Sequence, residues 1–126
     1  MNELEVLMKL RTMISDRNKW CQQQMETAQG ASCLAGWISR IAGSFYENPA
    51  TEALAKFAPK INPMTNPSPV HMVTYANDYS DYPTVLEWVD ITIDYLRKNS
   101  VDEKAKRGVA ELKETALKEK AVLEAV

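Results

Sequence analysis

The sequence predicts an all-α fold: a compact bundle of four to five helices, with a long proline-rich loop and a long, exposed C-terminal helix. Three observations predict it. Apolar residues recur at helical spacing in several separate stretches. Helix-start chemistry stands before most of them. Glycine occurs only four times in 126 residues, few for a fold built on tight turns. The length suits a single domain over 1–126, with a core at 1–98 and the segment 101–126 as an appended C-terminal helix.

The first helix is expected over residues 3–17, where Leu4, Leu7, Leu10 and Ile14 form an apolar stripe and Glu3 and Glu5 favour the N-terminal end. A polar stretch follows, from Trp20 to Gly30. Ser32 then reads as the N-cap of the central helix. Cys33, Leu34, Trp37, Ile38, Ile41 and Ala42 give that helix the broadest apolar face in the chain. Gly36 sits in its middle, at a cost of about 1 kcal/mol against alanine. That cost implies that a helix backbone or an aromatic ring approaches there.

A short third helix is expected over 49–57, opened by Pro49. Residues 58–82 read as a loop, because Pro59, Pro63, Pro67 and Pro69 crowd into eleven positions. Within it His71–Tyr75 reads as a short extended segment, and Asn77-Asp78 and Ser80-Asp81 read as turns. Thr84-Val85-Leu86-Glu87 has the form of a capping box and opens a fourth helix that ends near Asn99. A second capping box, Ser100–Glu103, opens the longest helix, 101–124, with a narrow stripe from Val101 to Leu123 and interleaved Lys and Glu elsewhere. The first, central and fourth helices are expected to form the core.

Function is constrained mainly by exclusion. A formal net charge of −2, with the lysines of 101–124 interleaved by glutamates, disfavours nucleic-acid binding. No apolar run reaches a membrane span, and the acidic start is unlike a signal peptide. The expectation is an intracellular, cytoplasmic protein with both cysteines, Cys21 and Cys33, reduced; a single Cys21–Cys33 bridge is the alternative the sequence leaves open. Cys21, Cys33, His71, Asp78 and Asp81 lack metal-ligand spacing, so neither metal nor cofactor is expected.

One catalytic arrangement is available on paper: Cys33 at a helix N-terminus as a thiol nucleophile, His71 as its base and Asn77 or Asp78 as the orienting group. The preferred reading is plainer, with Cys33 a small buried hydrophobe packed on the fourth helix and His71 a loop residue. Tyr75, Asn77, Asp78, Tyr79 and Tyr82 form the candidate binding cluster, since tyrosines in a polar loop suit protein interfaces. Asn77-Asp78 is expected to make an ordinary turn; its functional alternative is a carboxylate held near Trp20-Cys21-Gln22. A protein partner, or self-association through 101–124 or 58–82, is the expected mode of action.

Trp20-x-Gln22, Cys33-x-x-Gly36-x-Ile38, Asn77-Asp78 and Thr84, in that order, resemble a small helical domain family of unknown function found largely in actinobacterial and phage genomes. The match covers about residues 4–97. Leu34 and Trp37 stand where that family usually has alanine, so the packing around Trp37 must differ. The stretch after 97 has no counterpart. The resemblance implies an α-helical fold, a phage-related origin and no established activity.

Overall fold

The computed structural model describes residues 1–61 and 63–99. Five helices account for its regular structure: α1 (Glu3–Ile14), α2 (Leu34–Ala42), α3 (Pro49–Phe57), α4 (Pro69–Tyr79) and α5 (residues 82–99). A 3-10 turn, Arg17–Lys19, follows α1. Among the described residues there is no strand, so the fold is all-α. Met1–Asp94 form one compact unit, and the hydrophobic core lies within it. The helix expected over 101–124 lies outside the described residues.

Each helix starts on a side chain that satisfies backbone donors left over by its first turn. Asn2 caps α1 through the Glu5 N–H, Asn48 caps α3 through the Ala50 N–H, and Ser68 caps α4 through the His71 N–H. Pro49 and Pro69 stand in the first turns of α3 and α4, where a missing N–H costs nothing. Gly43, at φ 87°, closes α2 with its N–H donating to Ser39 O.

Three expectations are corrected. The cap of α2 is Cys33, whose thiol accepts from the Gly36 N–H at 3.3 Å, not Ser32. Ser32 is taken up elsewhere: its N–H donates to Lys19 O and its carbonyl accepts from Cys21 N–H, which holds it extended. The second correction is larger. Residues 69–79, expected as loop with an extended 71–75 and a turn at 77–78, form α4. Its buried face is Val73, Ala76 and Asn77, and an asparagine in that seam breaks the apolar period that marks a helix in sequence. Third, α5 begins at 82 and is capped by Asp81, whose carboxylate accepts from the Thr84 N–H at 2.9 Å. Pro83 therefore sits in a first helical turn, and Tyr82 is helical instead of extended.

α2 packs against α1, α3 and α4, and α3 packs closely on α4. Leu7, Leu10 and Ile14 of α1, Leu34 and Ile38 of α2, Leu54 of α3 and Val73 of α4 are fully buried. α5 adds Val85 and Val89, also fully buried. Its Trp88 indole N–H donates to Leu54 O at 2.8 Å, one of the carbonyls that the end of α3 leaves without a helical partner. Tyr82 donates to Ile14 O at 2.6 Å, and Asp90 pairs with Arg11 at 2.7 Å, tying α5 to α1 as well.

Candidate functional site

Between the 3-10 turn and α2 the chain runs irregularly from Trp20 to Cys33, touching itself through isolated bridges of Trp20 and Glu26 to Ser32. Asn77, 1% exposed near the C-terminal end of α4, clamps this segment. Its amide oxygen accepts from the Trp20 indole N–H at 2.9 Å and from the Leu34 N–H at 3.1 Å. Its amide nitrogen donates to Cys21 O at 3.2 Å and to the Asp78 carboxylate at 3.0 Å. All four hydrogen-bonding sites of the amide are used. Gln22 adds two bonds, donating to Asn77 O at 3.1 Å and Ser80 O at 2.7 Å. Gln23 adopts φ 63°, an uncommon region for a non-glycine residue, and aims its N–H at Asp78 at 2.7 Å.

The Asn77-Asp78 pair is thus neither a turn nor a loop contact surface. It lies at the end of a helix, with the Asp78 carboxylate accepting from the Gln23 N–H and from the Asn77 amide. Sequence order groups Tyr75, Tyr79 and Tyr82, but the fold separates their tasks. Tyr82 is committed to Ile14 and Ser15 carbonyls and lies against Trp20, ring centroids 5.6 Å apart. Tyr79 stacks on Tyr75 at 4.5 Å and is 62% exposed.

The Cys33, His71, Asn77 arrangement is not assembled as a catalytic triad. Cys33 is buried, its sulfur accepts the α2 cap bond, and burial raises its pKa, opposite to what a thiolate nucleophile needs. His71 is exposed at the start of α4, its ring at 2.9 Å from the Ser68 hydroxyl. Asn77 spends its amide on Trp20, Leu34, Cys21 and Asp78 and has no bond left to orient an imidazole. Cys33 also differs from its expected surroundings: its thiol meets Met25 Sδ at 3.8 Å, a residue of the irregular segment.

Both cysteines are free thiols. Burial raises the pKa of Cys21 too, and electrostatic repulsion between a Cys21 thiolate and the neighbouring Cys33 and Asp78 adds to the shift. Among the described residues no three of His, Cys, Asp and Glu come together as a metal site, and no helix is long and apolar enough to cross a membrane.

A concave feature of the surface lies elsewhere, among residues that sequence alone does not single out as a site. A groove of about 480 Å³ runs between α1 and α2. Met8, Met13, Trp37 and Ile41 give it apolar walls, while Lys9 and Arg40 supply cations. Trp37 is placed by its indole N–H, which donates to Lys19 O at 2.7 Å, and by the Arg40 guanidinium 4.1 Å above its ring. In sequence Met8 only broadens the α1 stripe, and nothing in its spacing marks the 41% exposure it has in the fold. Helical spacing assigns a residue to a face but does not say whether the neighbouring helix covers it.

No curated protein and no solved structure matches the chain. A family model does, over residues 1–95, which span α1 through α4 and most of the described α5. The chain belongs to DUF6197, a family of unknown function.

Proposed function

We propose that this domain is a non-enzymatic, intracellular protein-interaction module, and that its contact surface is the groove between α1 and α2. The observation that carries the reading is the composition of that groove: apolar walls from Met8, Met13, Trp37 and Ile41, with Lys9 and Arg40 at hand. Met8, exposed at the groove, belongs to a residue type that adapts to varied apolar side chains, and arginine is a common binding anchor. The partner that suits it is a protein segment with apolar residues on one face and carboxylates beside them, the helix-in-groove mode of recognition. Two free thiols fit a reducing, intracellular setting. Tyr79, exposed on α4, is a secondary contact within the tyrosine-rich stretch 75–82.

The test is a selection of random peptides on the immobilised full chain. Selected peptides are expected to carry apolar residues at i, i+3 or i+4 spacing with interspersed acids, to change the tryptophan fluorescence, and to lose binding to Ile41→Glu and Lys9→Glu variants. Peptides that bind both variants as well as the parent chain, or that carry no acidic bias, overturn the reading.

A further inference from the structure

The groove lies along a helix that itself carries apolar and acidic side chains on one exposed face. On α1, Glu5, Met8, Lys9 and Thr12 are all exposed, and the last three are also groove walls. Glu5 and Lys9 stand one turn apart, and neither makes an ion pair among the described residues. The other cations near by have carboxylates: Arg11 pairs with Asp90 at 2.7 Å, and Arg40 stands 3.9 Å from Glu26. Lys9 is thus the groove cation that lacks one. Glu5 is within reach of it along the same helix, but such an i, i+4 contact on an exposed face is weak, and the structure does not make it.

We propose that the occupant of the groove is α1 of a second copy of this chain, in a two-fold symmetric pair; the inference rests on the reading of the groove as a contact surface and names what fills it. A two-fold interface is self-complementary, because one patch meets itself. A patch of one charge sign would repel its own copy, whereas this one carries an unpaired acid and an unpaired base. With the two-fold axis level with Leu7, midway between Glu5 and Lys9, antiparallel α1 helices set Glu5 of each copy opposite Lys9 of the other. One register therefore makes two equivalent ion pairs.

The same register places the apolar contact at the centre. Met8 is one residue from the axis and meets Met8 of the second copy. It is 41% exposed in the single chain, so the pairing removes thioether surface from water, and an unbranched side chain fills an irregular gap well. The first turns of the second α1 then lie over the groove. α1 has 12 residues and is about 18 Å long. A contact centred on it belongs with the smaller specific interfaces, so the pair is reversible and depends on concentration.

The experiment measures the solution mass of the full chain by sedimentation over a wide concentration series, with circular dichroism to check that each variant is folded. The mass of the parent chain is expected to rise from one chain towards two. Glu5→Lys and Lys9→Glu, each folded, stay at one chain at the same concentrations, because each sets like charges opposite one another twice. An equal mixture of the two variants pairs again, since both contacts then join opposite charges. The proposal is overturned by a parent chain that stays single throughout, by pairing that both variants retain, or by a mixture that fails to restore it. A single-chain protein whose groove still takes selected acidic peptides overturns the pairing and leaves the groove reading standing.

Discussion

The Trp20 indole N–H donates to the Asn77 amide oxygen at 2.9 Å, joining residues 57 positions apart. The same oxygen accepts the Leu34 N–H, so one buried amide fixes an irregular segment, the start of α2 and the end of α4. No buried side-chain nitrogen or oxygen among the described residues lacks a partner. A network satisfied to that degree is sensitive to the loss of any member.

Asn77→Leu therefore strands the Trp20 indole N–H, the Leu34 N–H and the Cys21 carbonyl at once. Each unsatisfied buried group costs about 1–3 kcal/mol. The expected loss is about 3 kcal/mol or more, read from the midpoint of urea unfolding, with hydrogen exchange rising first over residues 20–33.

Gly36 faces a backbone, as its place in the central helix implies, but the backbone is that of the 20–33 segment and not of a helix or a ring. A Cβ there would overlap the Met25 carbonyl oxygen and meet Ser32 Cβ at 3.0 Å. Gly36→Ala gains helix propensity yet should still destabilise by about 1–3 kcal/mol, since a carbonyl in a hydrogen-bonded segment gives way less readily than a side chain. Thermal unfolding of the two chains checks it.

Trp88→Phe keeps most of the buried ring and removes the N–H that satisfies Leu54 O. About 1–3 kcal/mol should be lost. The loss should concentrate at the α3 C-terminus, seen as faster amide exchange there than in α1.

Asp81 gives a pH-dependent signature. The Thr84 hydroxyl and N–H hold its carboxyl below the usual carboxylate range. A lowered folded-state pKa means the cap contributes fully above the ordinary carboxylate pKa and is lost as pH falls through the lowered value. The Tm difference between the parent chain and Asp81→Ala should thus be constant near neutrality and shrink in acid.

The two thiols should react unequally. Burial raises both, but Cys33 is buried and Cys21 only partly so. At neutral pH iodoacetamide should label Cys21 first, and Cys33 only as fast as the segment opens. Rapid, selective labelling of Cys33 in the folded chain would restore the thiol-nucleophile reading.

Residues with strong local signals were legible. Pro49 after Asn48 marks α3 to the residue, and Leu7, Leu10 and Ile14 mark the buried stripe of α1. α4 was hidden although Ser68-Pro69 is a sound helix start, because four prolines spread over residues 59–69 read together as a loop and Asn77 interrupts the apolar face. The start of α5 was misplaced for a similar reason: Thr84-x-x-Glu87 and Asp81-x-x-Thr84 are both acceptable caps, and only the observed Asp81 bond to the Thr84 N–H selects one.

The candidate sites were less legible than the fold. Asn77, Asp78 and Trp20 were visible as residues of interest, yet their spacing carries nothing about which would share a hydrogen bond. The groove depends on how far α1 and α2 leave Met8 and Ile41 uncovered.

By itself, then, the sequence determined the helical class, the central place of 33–42 and the need for close approach at Gly36, because periodicity, caps and a missing Cβ are local properties. Tertiary structure alone decided that Cys33 and not Ser32 caps α2, that Asn77 is a buried clamp, and that Trp37 walls a groove. Those outcomes turn on which distant polar group reaches a given donor first, a competition settled only when the whole chain has packed.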